Sequence, residues 1–284
     1  MKLKIFASLV LMLLMLTGCG NETPPPAEKV EKVGMLSLSN VDENQIDDYT
    51  KNFNSAHGVN SDPQKTTYYN NLNSMQMSLN SGSIDTIRTY GSVAQYMTER
   101  DSNLAIKDSQ TVQLVDNFSC ALRDEDSELR EQFNAAIESM KNDGTLSNLV
   151  ENFIKNLKAD TEPPAVAMPK IAGADTIKVG VTGDLPPLDL ILADGTPAGF
   201  NTAVLAEISQ RINKNIELVT IESNARAAAL TSGTVDVVFW TVTPEGESPL
   251  PMNSDTPEGV ALTQAYYKDV VVDVNLATAF TGMN

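Results

Sequence analysis

Few side chains in this 284-residue chain are placed for acid–base or nucleophilic chemistry. A clustered acid and base would have to be drawn from Asp184, Asp189 and Glu245. The one histidine, His57, lies in a polar, loop-like stretch. Cys120 follows Val115-Asp116-Asn117-Phe118 in an apolar, strand-like run, where a buried structural thiol is expected rather than a nucleophile. No metal-ligand spacing and no Gly-rich phosphate loop occurs, so neither a metal nor a cofactor is expected. What remains is binding chemistry. It is expected where strands end, at Val181–Pro187 and at Trp240–Thr243.

The elements that must position those ends are legible. Ile177–Val181 reads as a strand, followed by a Pro-rich loop, a Gly-punctuated turn at Asp194–Gly199 and a helix from about Asn201. A strand at Ile216–Ile221, a helix near Ala225–Thr231 and a buried strand at Val235–Trp240 follow. Strand and helix in alternation predict a parallel sheet with right-handed crossovers. The first half repeats the plan. Lys32-Val33-Gly34 and later Leu79-Asn80-Ser81-Gly82-Ser83-Ile84-Asp85 match Lys178-Val179-Gly180 and Leu230-Thr231-Ser232-Gly233-Thr234-Val235-Asp236. Two lobes on one plan are expected.

Within the first half, Ser39 with Asp42, or Asn40 with Glu43, has capping-box spacing and predicts a helix start. Ser109–Ala121 is an apolar run suited to crossing between lobes. Ser127–Met140 is an amphipathic helix with Leu129, Phe133, Ile137 and Met140 on one face. Gly144 ends it and Thr145 caps the next helix, which runs to about Leu157. Lys158–Ala174, with Pro163, Pro164 and Pro169, reads as a linker between bodies. Pro244–Glu258, rich in Pro, Glu and Ser, reads as a surface loop, and Val260–Val274 closes the fold with a strand.

The net charge of −17 excludes nucleic acid as a partner, because nothing could neutralise its phosphates. It also excludes a polybasic membrane footprint. The amino terminus points to a membrane by another route. Lys2 and Lys4 precede the apolar run Ile5–Leu16, and Leu16-Thr17-Gly18-Cys19 follows. The run is short for a spanning helix and carries signal-peptide flanks. Its ending resembles a bacterial lipobox, which implies cleavage after residue 18 and a diacylglycerol anchor on Cys19. Residues 19–31, with three consecutive prolines, form a tether.

Over most of residues 32–274 the chain resembles a type 2 periplasmic solute-binding protein of the amino-acid-binding kind, solute-binding protein family 3. The resemblance is carried by VGVTGDLPPLDL, DGTPAGFNTAVLAEI, RAAALTSGTVDVVF and ALTQAYYKD, and in the first half by LNSGSIDTI and ELREQFNAAIESMKNDGTLSNLVENFI. It implies a two-lobed α/β fold, a small polar, amino-acid-like solute and delivery to an ABC permease. A sensory module, or a small dehydratase-type enzyme on the same fold, remains as an alternative. The lobe order is unusual. Residues 32–157 correspond to the family's second lobe and closing helices, and 175–284 to its first lobe. A circular permutation, joined by residues 158–174, accounts for this; a fusion of two truncated neighbours is the rival. Permutation implies one intact covalent crossing, near Val115–Leu122, and a second one cut between Tyr266–Val274 and Lys32.

The resemblance also implies site residues. Trp240 to Glu245 matches the segment that grips a ligand carboxylate, with Thr241 and Thr243 as its hydroxyls. The family's carboxylate-pairing arginine would fall at Gly246 and is missing. The acidic residue that pairs with a ligand amine would fall at Tyr90. An aromatic-lined pocket from Trp240 and Tyr90 is therefore expected, although Trp240 suits the sheet core equally. Ser39 and Asn40 match a turn at a helix N-terminus, a place for an anion. Asp184 lies in the first strand-end loop. Arg226 matches a family arginine that is either an ion-pair partner or a ligand contact.

Overall fold

The computed structural model describes residues 29–107 and 113–277. The leader, Cys19 and most of the tether lie outside these residues. The amino-terminal lobe contains β1 (Glu31–Leu36), α1 (Glu43–Ala56), β2 (Gln64–Tyr69), α2 (Leu72–Asn80), β3 (Thr86–Tyr90), α3 (Gly91–Arg100) and β4 (Leu104–Lys107). The chain then enters the carboxyl-terminal lobe along β5 (Val115–Arg123), followed by α4 (Ser127–Asn142) and α5 (Thr145–Val150), which runs into a π turn at Glu151–Lys155. There follow β6 (Thr176–Val181), three short strands β7 (Asp184–Leu185), β8 (Asp189–Ile191) and β9 (Pro197–Ala198), and α6 (Phe200–Ile212). The lobe is completed by β10 (Asn215–Thr220), α7 (Arg226–Thr231), β11 (Val237–Glu245) and β12 (Val260–Leu262), and β13 (Tyr267–Leu276) leads out of it.

The main sheet runs β10-β6-β11-β5-β13-β3-β1-β2. Each lobe contributes one parallel triple, β2-β1-β3 in one and β10-β6-β11 in the other. Both triples have their first strand in the centre, as two right-handed crossovers from a shared strand require. The antiparallel strands β5 and β13 join them. β13 pairs with β5 through Tyr267–Val270 and with β3 through Val271–Val274. It therefore passes unbroken from one lobe to the other. The expectation of a single covalent crossing is not met: β13, with its β-branched Val270–Val272 run, is unbroken and pairs on both sides.

The amphipathic helix α4 buries Phe133, Ile137 and Met140. It packs on α6, where Arg211 bonds Asp143 at 2.9 Å, Ser139 at 2.7 Å and Thr145 at 3.0 Å. Two expected caps are displaced. Asp42, not Ser39 or Asn40, caps α1, in a reciprocal box with Gln45. Gly144 takes the cap position of α5, and Thr145 is its first helical residue. The proposed linker is not free of the bodies. Val166 N–H donates to the Pro197 carbonyl and Gly199 N–H to the Pro164 carbonyl on either side of Ala198, Asn215 holds Ile171 and Ala174, and Arg100 of α3 donates to the Lys158 carbonyl.

Candidate functional site

The tip of β1 faces the middle of β11 across the gap between the lobes. β11 is irregular there. Phe239 opposes Cys120 and Thr241 opposes Ser119, so Trp240 is an extra residue in the ladder. A bulge of this kind breaks the alternation of faces. Trp240 and Thr241 therefore both reach one ion pair. The Arg226 guanidinium lies 4.6 Å from the Trp240 ring centroid, and the Thr241 hydroxyl is on the arginine's partner, Asp255.

Asp255 is the centre of the site. Arg226 Nη1 donates to its Oδ2 and Nη2 to its Oδ1, both at 2.9 Å. Val242 N–H donates at 3.1 Å and, from the other lobe, Ser39 N–H donates at 2.8 Å. Thr241 Oγ1 lies 3.0 Å from Oδ2 and 2.8 Å from the Asp255 carbonyl, and its one proton serves one of them at a time. Arg226 is equally saturated. Its remaining N–H groups reach the carbonyls of Ser223 at 3.1 Å, Trp240 at 3.0 Å and Ser37, in the other lobe, at 2.7 Å. Both residues are 2% exposed. A charge so deeply buried survives only when paired and hydrogen-bonded, and here every donor of the fork has an acceptor.

The lobes are closed on each other around this pair. Asn40 N–H donates to Ser254 O at 3.0 Å and its amide to Asn253 O at 2.9 Å. Ser223 Oγ donates to Ser37 O at 3.2 Å, and Asn70 to Glu222 at 3.1 Å. Asp184 accepts from Leu72 N–H at the start of α2, at 3.0 Å. Burial, with Asp189 nearby, raises the Asp184 carboxyl to about 6.

A cavity of about 60 Å³ remains beside the pair, with room for roughly four or five water-sized groups. Leu36 and Leu38 wall it on one side, Trp240 and Leu250 on the other, and Tyr90 and Asp116 lie between. Tyr90 stands edge-on to Phe118 at 4.7 Å and to Trp240 at 6.0 Å. Burial pushes the Asp116 carboxyl up to about 7, and the negative charges of Asp255 and Asp269 add to it. The same burial, then Asp116, raises the Tyr90 hydroxyl well above its usual range.

The structure thus brings Trp240, Thr241, Arg226, Tyr90, Ser39 and Asn40 together. Trp240 is both core, at 1% exposed, and cavity wall. Ser39 and Asn40 are not caps, and Ser39 acts through its backbone, which the one-turn displacement of the α1 cap frees for the other lobe. Asp184 holds the lobes together away from the cavity. Thr243 is half-buried one turn of the strand beyond Thr241, opposite Asn117, and takes no part in the network among the described residues. Asp189 is fully buried on the Thr182 N–H and hydroxyl, and Glu245 pairs with Lys268 at 3.0 Å. The three carboxylates considered for acid–base chemistry therefore do not share the cavity. Among the described residues no His, Cys, Asp or Glu group could hold a metal ion.

One expectation is overturned. The stretch 244–258 is not simply a surface loop, because Ser254 is 1% and Asp255 2% exposed. A polar composition predicts exposure, but consecutive turns at Pro251–Ser254 and Asn253–Thr256 fold the loop inward onto Arg226. The signal for Asp255 was the arginine: a buried guanidinium requires a carboxylate. That Arg226 is buried was not legible before the lobes were assembled.

Residues 177–253 match the family described as bacterial extracellular solute-binding proteins, family 3. The match runs from β6 into the loop that carries Asp255. No curated protein sequence matches the chain. Among solved structures, similarity extends to the ligand-binding component of an ABC-type import system from Staphylococcus aureus with zinc bound, at 12% identity and a TM-score of 0.42, covering 87% of this chain and 66% of that one. Full-length CbnR complexed with target DNA is similar at 11% identity and 0.36, covering 87% and 64%. A periplasmic substrate-binding protein of an ABC transporter from Coxiella burnetii is similar at 10% and 0.40, covering 89% and 87%. The chain thus spans slightly less than two thirds of the first two. Its own strand order and register make it a two-lobed α/β protein with the type 2 periplasmic-binding-protein-like fold.

Proposed function

We propose that this chain is an extracytoplasmic solute-binding protein, anchored by lipid on Cys19, that closes two lobes on a small polar, amino-acid-like solute and delivers it to an ABC permease. The observation that carries the reading is the cleft. Two lobes joined by β5 and β13 meet around buried polar groups at strand ends, and a cavity with one carboxylate remains between them. Ligands of open α/β sheets bind at such ends. Trp240 and Tyr90 are assigned to its wall, with Thr241, Arg226, Ser39 and Asn40 setting closure; Asp184 is assigned to the interlobe contact and Thr243 to support of β11.

The lobe order is proposed to be a circular permutation joined through residues 158–174. The packing of α4 and α5 on α6 supports it, because a fusion of two truncated neighbours would leave those helices off the lobe that contains α6. The residues 1–18 are assigned as a lipoprotein signal peptide and 19–31 as its tether. Replacing Cys19 by Ala is expected to move the mature protein from the membrane fraction to the soluble one.

Thermal unfolding against a panel of amino acids, small peptides, organic acids and amines tests the function. A ligand at 100 times its dissociation constant adds about 2.7 kcal/mol. For a body of this size that raises the melting temperature by roughly 5–10 °C. A shift confined to one chemical class, with the ligand recovered unchanged, supports the reading. Consumption of the ligand, or a flat response across the panel, overturns it.

A further inference from the structure

Asp255 sits where five hydrogen-bond donors converge, and the loop that carries it has little else to hold it. Apart from Ser254 and Asp255, residues 246–259 are exposed or half-buried, with Met252 63% exposed. The other bonds from this loop to the amino-terminal lobe are those of Asn253 and Ser254 to Asn40 and of Glu247 to His57. The donors, by contrast, come from three separate segments: Ser39, Arg226, and Thr241 with Val242 on β11. Two of those segments are secured independently of Asp255. Arg226 is fixed by the Ser223, Trp240 and Ser37 carbonyls, and Thr241 and Val242 lie in the β11–β5 ladder. The donors are thus preorganised around a carboxylate-sized space. The group that fills it is supplied by a polar loop.

We infer that Arg226, the Thr241 hydroxyl and the N–H groups of Val242 and Ser39 form a carboxylate-binding seat, and that Asp255 is its built-in occupant, a tethered carboxylate that holds the cleft shut in the absence of free solute. A planar guanidinium fork with two further N–H donors matches the two oxygens of a carboxylate, the group that it holds here. Ser39 lies in the lobe opposite the other donors, so occupancy of the seat is coupled to closure. A free solute that uses this seat has to present a carboxylate and displace the loop. A solute without one is confined to the small cavity alongside. The inference rests on the reading of the cleft as a solute site, yet its test uses no natural solute, so the two can fail separately.

The test empties the seat. Asp255→Gly removes the carboxylate and leaves the donors, and sodium acetate is the probe, with sodium chloride at equal ionic strength and acetamide as controls. The expected result is a melting temperature raised by several degrees by acetate in Asp255→Gly, unmoved by chloride or acetamide, and no acetate response in the wild type. The response disappears in the double variant Asp255→Gly/Arg226→Met. A folded Asp255→Gly protein, judged by far-UV circular dichroism, that ignores acetate overturns the seat. An equal acetate response in the wild type overturns the occupancy. Should Asp255→Gly not fold, Asp255→Asn keeps the side-chain shape and reduces the charge. Small-angle scattering is then expected to show a larger radius of gyration than in the wild type as the lobes part. An unchanged radius reduces the pair to a structural ion pair.

Discussion

At their bases the two lobes carry the same chemistry. Lys32 N–H donates to Asp85 Oδ2 at 2.9 Å while Asp85 N–H donates to Lys32 O at 2.8 Å. In the other lobe, Lys178 and Asp236 make the same two bonds at the same distances. At their tips the lobes part company. Counting back from the shared Leu79 and Leu230, the position of Arg226 in one lobe is that of Met75 in the other, and both are buried. Counting on from Asp85 and Asp236, Thr241 corresponds to Tyr90. One lobe thus brings an arginine, a hydroxyl and an aspartate to the cleft; the other brings the Ser37 carbonyl and the Ser39 and Asn40 N–H groups. The shared plan builds each sheet, and the departures from it supply the polar groups through which the lobes meet.

The sharpest way to break the contrast is to make the two tips alike. Arg226→Met copies the Met75 position and leaves Asp255 buried with its guanidinium partner gone. Removing one member of a buried pair costs about 3–5 kcal/mol, and denaturant unfolding should show a loss of that size. Adding Asp255→Leu is expected to recover most of it, since an apolar pair needs no partner. Met75→Leu, a near volume-conserving swap, should cost less than about 1.5 kcal/mol. If Arg226→Met proves as mild as Met75→Leu, the tips do not differ in the way described.

The next effect tests the likeness of the bases. A Cβ on Gly180 would lie 2.6 Å from Ile221 Cδ1, and one on Gly34 would lie 2.5 Å from Ile84 Cδ1. Both glycines are there because a side chain crosses close over the central strand. Alanine at either is expected to cost about 1–3 kcal/mol through overpacking. Gly34→Ala should be the worse of the two, because Tyr69 Cε2 at 3.0 Å and Met75 Cγ at 3.2 Å leave the isoleucine less room to turn away. Ile221→Val is expected to rescue Gly180→Ala in part.

This likeness is also what the sequence made visible. K-V-G and L-x-S-G-x-[I/V]-D are local patterns, set by a strand, a helix end and a strand, and the structure has them where they were expected. Helix stripes such as Phe133, Ile137 and Met140 were legible for the same reason. The site was legible only in part. Trp240, Thr241, Arg226 and Tyr90 were marked by their places on the plan, but the group that joins the first three was not. Asp255 lies 29 residues from Arg226 and 216 from Ser39, in a segment whose composition says loop. Asp116 is not marked, because a single carboxylate in an apolar strand carries no periodic signal. Long-range partners of this sort are fixed by how lobes close, not by neighbours in sequence.

Between the lobes, on the crossing strand β5, Asp116 offers a pH test. Its carboxyl is raised to about 7 and that of Asp184 to about 6, both above the unfolded value of about 3.9. Between about pH 4 and 7 the folded state therefore holds more protons than the unfolded one. Stability contributed by these groups is full below that window and is lost as pH rises through it. Asp255 and Asp269 face Asp116, so screening by salt should soften the loss only slightly at such buried sites. Asp116→Asn is expected to flatten the upper part of the decline and to make the free protein more stable than the wild type at pH 8. Unchanged pH profiles would place Asp116 in open solvent.

The smallest effect compares the two base clasps directly. Asp85→Asn and Asp236→Asn each weaken one charge-assisted bond to a backbone N–H, worth on the order of 1 kcal/mol. They should not cost the same. Asp236 also lies 3.4 Å from the Arg123 Nη2, and Arg123 donates to the Leu230 and Val235 carbonyls as well, tying β5 to the turn before β11. Asp85 has Asn275 of β13 on its carbonyl instead, a bond that the substitution leaves intact. Asp236→Asn is therefore expected to be the costlier by a few tenths of a kcal/mol, and the difference should vanish in an Arg123→Gln background. A double-mutant cycle on Arg123 and Asp236 measures it. Coupling near zero would mean that the clasps are equal in energy as well as geometry, and that the lobes diverge only at the cleft.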